Sequence, residues 1–205
     1  MSSRDVDFRE LGKGVLLEFL EVAIHTLLYT RQLYDARAFK QCKKYNVPVY
    51  MCNNPEVNEY VGNIVKSIKP LLDDRSLEYV AFVVLLEESL EPIERFVFDF
   101  ALSNDGQGDA DDFLIKLEQS LRSTLLKLAT ADSVLKAKPE NCTWTVHAKT
   151  TDIAVEDMQS KACIEDFQWI NVEVKEPLVE NAQLIPIRTM DTHTMKMQLY
   201  VEERG

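Results

Sequence analysis

Met195-Lys196-Met197-Gln198-Leu199-Tyr200-Val201 alternates without interruption. In an extended strand Met195, Met197, Leu199 and Val201 fall on one face, and Lys196, Gln198 and Tyr200 on the other. The apolar face is explained by burial. A tyrosine on the polar face beside a glutamine marks a surface suited to contact. Upstream lie Leu184-Ile185-Pro186-Ile187-Arg188 and Phe167-Gln168-Trp169-Ile170, two further strand-like pieces in about 50 residues of otherwise irregular chain.

Working outward, residues 8–34 read as one long helix, apolar on most sides. Glu18, Glu21, His25 and Gln32 form a single polar stripe, which places the helix at the centre of a domain. Val47 to Met51 is a short extended piece. Asn54-Pro55-Glu56 opens a second helix: Asn54 caps the free amides, Pro55 suits the first turn and Glu56 the positive dipole end. Val57, Tyr60, Val61, Ile64, Val65 and Ile68 then recur at helical spacing as far as Pro70. Leu77 to Leu86 is almost continuously apolar. From Ile93 to Phe100 the chain alternates, with Phe96, Phe98 and Phe100 on one side and Arg95, Val97 and Asp99 on the other. These two runs are antiparallel strands joined by the acidic link Glu87 to Pro92. A third helix begins near Asp109, Asp111 and Asp112, with Leu114, Leu117, Leu121, Leu125 and Leu128 on one face and Leu135 in register. Cys142 to Thr150 alternates again, with Trp144, Val146 and Ala148 on one side. The fold class is α+β, with helices on one face of a mainly antiparallel sheet.

Composition narrows the function. The chain has 205 residues, which allows one large domain or two small ones, and a net charge of −11. That charge argues against direct binding of nucleic acid, since phosphate contacts need a basic surface. The basic cluster Lys40, Lys43 and Lys44 reads as a solvated turn. Val15 to Tyr29 is the most apolar run, but Glu18, Glu21 and His25 make it unfit to span a membrane. The start, Met1-Ser2-Ser3-Arg4-Asp5, has no apolar signal region. Cys42, Cys52, Cys142 and Cys163 are scattered, with no C-x-x-C, so neither a disulfide framework nor a zinc site is expected. Reduced thiols in the cytosol or nucleus are.

No catalytic constellation emerges. Phosphate-binding glycine loops, H-E-x-x-H and G-x-S-x-G are all absent. His25, His147 and His193 sit on a helix, a strand and a loop. An enzyme would need two of them to meet an acid in a deep pocket. No cofactor or metal is implied.

Several stretches together are familiar: Leu17-Glu18-Phe19-Leu20-Glu21-Val22-Ala23, Lys43-Lys44-Tyr45-Asn46-Val47-Pro48-Val49, Val57-Asn58-Glu59-Tyr60, Lys69-Pro70-Leu71-Leu72, Asp166-Phe167-Gln168-Trp169-Ile170, Leu184-Ile185-Pro186, and Lys196 to Arg204. They resemble the HORMA-domain family over nearly the whole chain, and within it the branch of non-catalytic accessory subunits of translesion DNA polymerase zeta. Residues 102–112 and 172–182 match least, and Gln168 stands where the family pattern has proline.

The resemblance implies a single HORMA domain over 1–205. Its core spans about 8–150 and its C-terminal seatbelt about 151–205. The seatbelt wraps round a partner segment that adds as a strand at the sheet edge. By resemblance, Tyr60 and Trp169 hold the peptide, a proline-bearing segment of the polymerase zeta catalytic subunit. Read from spacing alone, Tyr60 is a core residue sharing a face with Val57 and Ile64. Leu184, Gln198 and Tyr200 resemble a second surface that docks the C-terminal domain of a Y-family scaffold polymerase. Arg122, four residues after Glu118, reads either as an i, i+4 ion pair or, by resemblance, as a self-association contact in a homodimer. Other implied partners are DNA-end-protection factors and an ATP-driven remodeller, and the implied location is the nucleus, also the cytoplasm. The rival within the fold is a spindle-checkpoint regulator of the cell cycle.

Overall fold

The computed structural model describes residues 8–102, 110–151, 169, 179–191 and 195–205. Its three helices are α1 (Phe8–Thr30), α2 (Pro55–Asp73) and α3 (Ala110–Ala129). Its strands are β1 (Phe39–Lys44), β2 (Val47–Cys52), β3 (Leu77–Leu86), β4 (Pro92–Leu102), β5 (Cys142–Thr150), β6 (Ala182–Asp191) and β7 (Met195–Arg204). β1 and β2 form a separate hairpin. The other five make one sheet in the order β5-β3-β4-β7-β6, and every neighbouring pair is antiparallel.

Period-two patterning assigns the two faces of that sheet. Val80, Phe82, Val84, Phe96, Phe98, Val146, Leu199 and Val201 join the helices in one core. Ala81, Val83 and Val97 form a second, smaller cluster on the opposite face, with Tyr200 packed against it. The phenylalanine alternation on β4 thus falls as its sequence implies. The core is tied to α1 by Phe19, whose ring meets Phe98 edge-on at 6.2 Å.

The first helix is more deeply buried than its polar stripe suggests. Leu16, Phe19, Leu20, Ala23, Ile24, Leu27 and Leu28 are all within 1% of complete burial. The stripe stays wet at Glu18 and ends before His25, which is itself buried because β2 packs over it. The Cys52 amide donates to His25 Nδ1 at 3.4 Å.

Helix ends are set by backbone chemistry that spacing alone does not announce. α1 stops at Thr30, short of residue 34. Gln32 turns left-handed at φ 49°, and the Gln32 and Leu33 amides bond back to the Tyr29 and Leu28 carbonyls. α2 closes in the same way at Arg75, φ 57°, with the Arg75 and Ser76 amides on Leu72 and Leu71. Both are Schellman ends with a side chain where glycine is usual. At its start, Asn54 Oδ1 accepts the Glu56 amide at 2.9 Å, as its sequence implies. α2 also runs through Pro70 to Asp73 rather than ending there. Burial of Leu71 and Leu72 offsets the single hydrogen bond that proline forfeits.

Lys40, Lys43 and Lys44 lie on strand β1, not in a turn. The turn is Tyr45-Asn46, both left-handed at φ 47° and 59°, which gives the type I′ geometry suited to a two-residue hairpin. Lys44 reaches back to Glu18 on α1 at 2.8 Å. The tail is more regular than its sequence suggests, for 182–191 and 195–204 are full strands of the main sheet. The Phe167, Gln168 and Ile170 positions, His193 and most of 152–178 lie outside the described residues.

Candidate functional site

β5 is one edge of the five-stranded sheet. It pairs with β3 from Leu77↔Thr150 to Leu86↔Cys142, and among the described residues no strand lies beyond it. A strand in that position keeps a row of amides and carbonyls available for another chain.

Aromatic side chains line the helix-side face beside this edge. Trp144 of β5 stacks on Phe82 at 5.4 Å, and its Nε1 donates to the Tyr34 hydroxyl at 3.0 Å. Tyr60 of α2 meets the Trp144 ring edge-on at 5.4 Å. Tyr60 therefore is not a core residue. It is 42% exposed, whereas its sequence neighbours Val57, Val61 and Ile64 are buried. Partial burial raises its phenol above the ordinary value, while a hydrogen bond with Thr145 works the other way. Trp169 is half-buried and packs against the main core. Tyr34 and Trp144 were not singled out from the sequence as contact residues. Trp144 reads there only as a core-facing strand position, and Tyr34 as part of the long first helix.

Leu184, Gln198 and Tyr200 come together on the opposite face. Tyr200 lies across from Val97 and Pro186, Gln198 from Asp99 and Thr189, and Leu184 from Glu202. Residues directly opposite one another in a sheet share a face. Leu184 is 60% exposed, Gln198 exposed and Tyr200 half-buried. The strand alternation read from the sequence is thus the observed one.

Arg122 is exposed on α3. The i, i+4 pair with Glu118 is not present among the described residues, and Glu118 instead accepts from Asn46 Nδ2 at 3.4 Å.

The two described histidines are on different sides of the sheet. His25 is buried among the helices, and His147 lies across from Ala81 on the opposite face. Among the described residues there is no grouping of three His, Cys, Asp or Glu side chains suited to a metal. Cys42, Cys52 and Cys142 are free thiols. No described helix is long and apolar enough to cross a membrane.

A buried ionic cluster escaped the sequence reading altogether. Arg31, 2% exposed, donates Nε to Glu94 Oε2 at 2.9 Å and Nη2 to Glu94 Oε1. Its Nη1 goes to Asp132, and Nη2 also reaches the Lys136 carbonyl at 3.0 Å. Glu203 of β7 lies directly across from Glu94 and accepts the Lys136 amide. The signal was available: Glu94 shares its strand face with Phe96 and Phe98, and Glu203 with Leu199 and Val201.

The HORMA domain profile matches residues 14–166. Over all 205 residues the chain is 39% identical to the human "Mitotic spindle assembly checkpoint protein MAD2B", covering 97% of that relative. It is 30% identical to the Arabidopsis thaliana "DNA polymerase zeta processivity subunit", over 94% of this chain and 86% of the relative. Among solved structures, a chain in the mitotic checkpoint complex superposes with a TM-score of 0.75 at 18% identity, covering 94% of this chain and 98% of that one. C. elegans HTP-2 bound to a HIM-3 closure motif gives 0.74 at 13%, covering 96% and 91%. Three helices against a mainly antiparallel sheet, a chain-long match to MAD2B and a matching domain profile lead to one assignment: the protein belongs to the HORMA-domain family.

Proposed function

We propose that this protein is a non-catalytic adaptor that captures a short, proline-bearing peptide of the polymerase zeta catalytic subunit. The observation that carries the reading is the edge of β5 flanked by Tyr34, Tyr60 and Trp144. A guest strand gains main-chain hydrogen bonds from β5, and the aromatic wall selects a flat apolar side chain such as proline. The segment from about 151 to 205 acts as the strap, with Trp169 over the guest. A strap slows dissociation, and affinity among related complexes is tuned chiefly through the off-rate. Leu184, Gln198 and Tyr200 form the second docking surface, for the C-terminal domain of a Y-family scaffold polymerase, in the nucleus. The names of the MAD2B and polymerase zeta relatives support this reading.

Calorimetry with a proline-bearing segment of the catalytic subunit tests it directly. Saturable one-to-one binding supports the adaptor, and absence of binding removes it. A pull-down with the scaffold domain tests the second surface, where Tyr200→Ala abolishes recruitment. A spindle-checkpoint role is the second reading, supported by the checkpoint names among the relatives and structural neighbours. Preference for checkpoint-protein peptides over polymerase peptides in the same calorimetric assay would favour it.

A further inference from the structure

The C-terminal hairpin β6–β7 is attached to the rest of the sheet along one line, the β4–β7 pairing from Leu102↔Met195 to Glu94↔Glu203. Most of that line is apolar on the helix side, with Met197, Leu199 and Val201 opposite phenylalanines. An apolar ladder of this kind fixes which face is buried but discriminates weakly between registers two residues apart. Its last rung is different. Glu203, 4% exposed, lies beside Glu94, which is 3% exposed and bidentate on Arg31. Glu203 Oε1 accepts the Lys136 amide, Lys136 Nζ donates to the Arg204 carbonyl at 2.9 Å, and the Lys136 carbonyl receives Arg31 Nη2. At the outer side of the same rung, Arg204 pairs with Glu180 at 2.9 Å and approaches Glu91 at 3.5 Å. The end of β7 is therefore held at one point by β4 and by Lys136 in the segment after α3, and Arg31 binds both the neighbouring Glu94 and the Lys136 carbonyl.

We propose that Glu203 is a positioning residue that fixes the register of the C-terminal hairpin, acting through the Lys136 amide. A slip by two residues brings Val201 or Gly205 opposite Glu94. The Lys136 N–H then loses its acceptor, while Arg31 keeps Glu94 and Asp132. An unsatisfied buried donor costs more than the formed contact returns. The cluster thus penalises wrong registers more than it stabilises the right one.

Hydrogen exchange on the protein without peptide tests the register role separately from peptide capture. Glu203→Leu keeps bulk and removes the acceptor, while Glu203→Gln keeps an acceptor oxygen. The expected result is exchange about tenfold faster across 182–204 in the leucine variant, near-native exchange in the glutamine variant, and β3 and β5 unchanged in both. Equal exchange in the two variants overturns the proposal, as does acceleration spread evenly over β3 and β5. If neither variant folds, the wild-type protein decides. The Lys136 amide then exchanges within about tenfold of the β7 amides, and exchange at the rate of a free loop amide defeats the inference.

Discussion

His25 keeps its imidazole neutral because burial lowers its pKa from the ordinary 6.5 to about 4. The unfolded chain takes up a proton near pH 6.5 that the folded chain refuses until about pH 4. Stability is therefore full above pH 6.5 and falls as pH drops toward 4, by about 3 kcal/mol across that window. Urea midpoints measured between pH 7 and 4.5 will show this slope, and His25→Gln will remove most of it. Tyr60 belongs to the same scale but to binding. Its ring is half in water and meets Trp144 edge-on, so its removal is expected to leave the fold intact and to strip one wall of the proposed peptide site. Tyr60→Ala is predicted to weaken the proline-bearing peptide by ~2 kcal/mol, about thirtyfold, with the melting temperature little changed. Calorimetry with a parallel thermal melt checks both halves of that statement.

Elements were legible where one repeating signal governs them. Phe96, Phe98 and Phe100 announce β4, and Asn54-Pro55-Glu56 announces the start of α2, because both patterns are local and chemically specific. The strand β1 was not legible, since Phe39–Lys44 carries lysines and a glutamine, and its turn uses Tyr45-Asn46 instead of a glycine pair. Helix ends failed for the same reason, as Gln32 and Arg75 adopt left-handed backbone without the glycine that flags it. The contact site was half legible: strand alternation puts Gln198 and Tyr200 on one face, but the meeting of Tyr34, Tyr60 and Trp144 depends on three elements packing together. The unusual helix ends give a prediction at this scale. Arg75→Gly relieves a side chain from the left-handed region, and stability rises by about 1 kcal/mol in urea unfolding. Asn54→Ala, by contrast, costs about 1 kcal/mol by removing the cap.

At the scale of the whole molecule, one core joins α1 to the sheet through pairs such as Phe19 and Phe98. Phe98→Ala opens a cavity in that seam and is expected to cost about 3–5 kcal/mol, a large share of a typical domain's stability, seen as a fall in the denaturant midpoint. Arg122 projects from α3 into solvent, so Arg122→Ala will leave the fold unchanged and, if two copies associate through this helix, shift sedimentation toward the monomer. The sheet has a further property that follows from its strand order. Its β6 rim is fenced by Pro186 and the charges of Arg188 and Asp191, features that discourage stray pairing. The β5 rim carries no proline, and a strand of nine residues without one is a template that any extended polypeptide can copy. Kept alone at high concentration, the molecule is thus at risk of zipping onto its own kind, and a guest peptide on that rim, as proposed above, would double as a built-in chaperone.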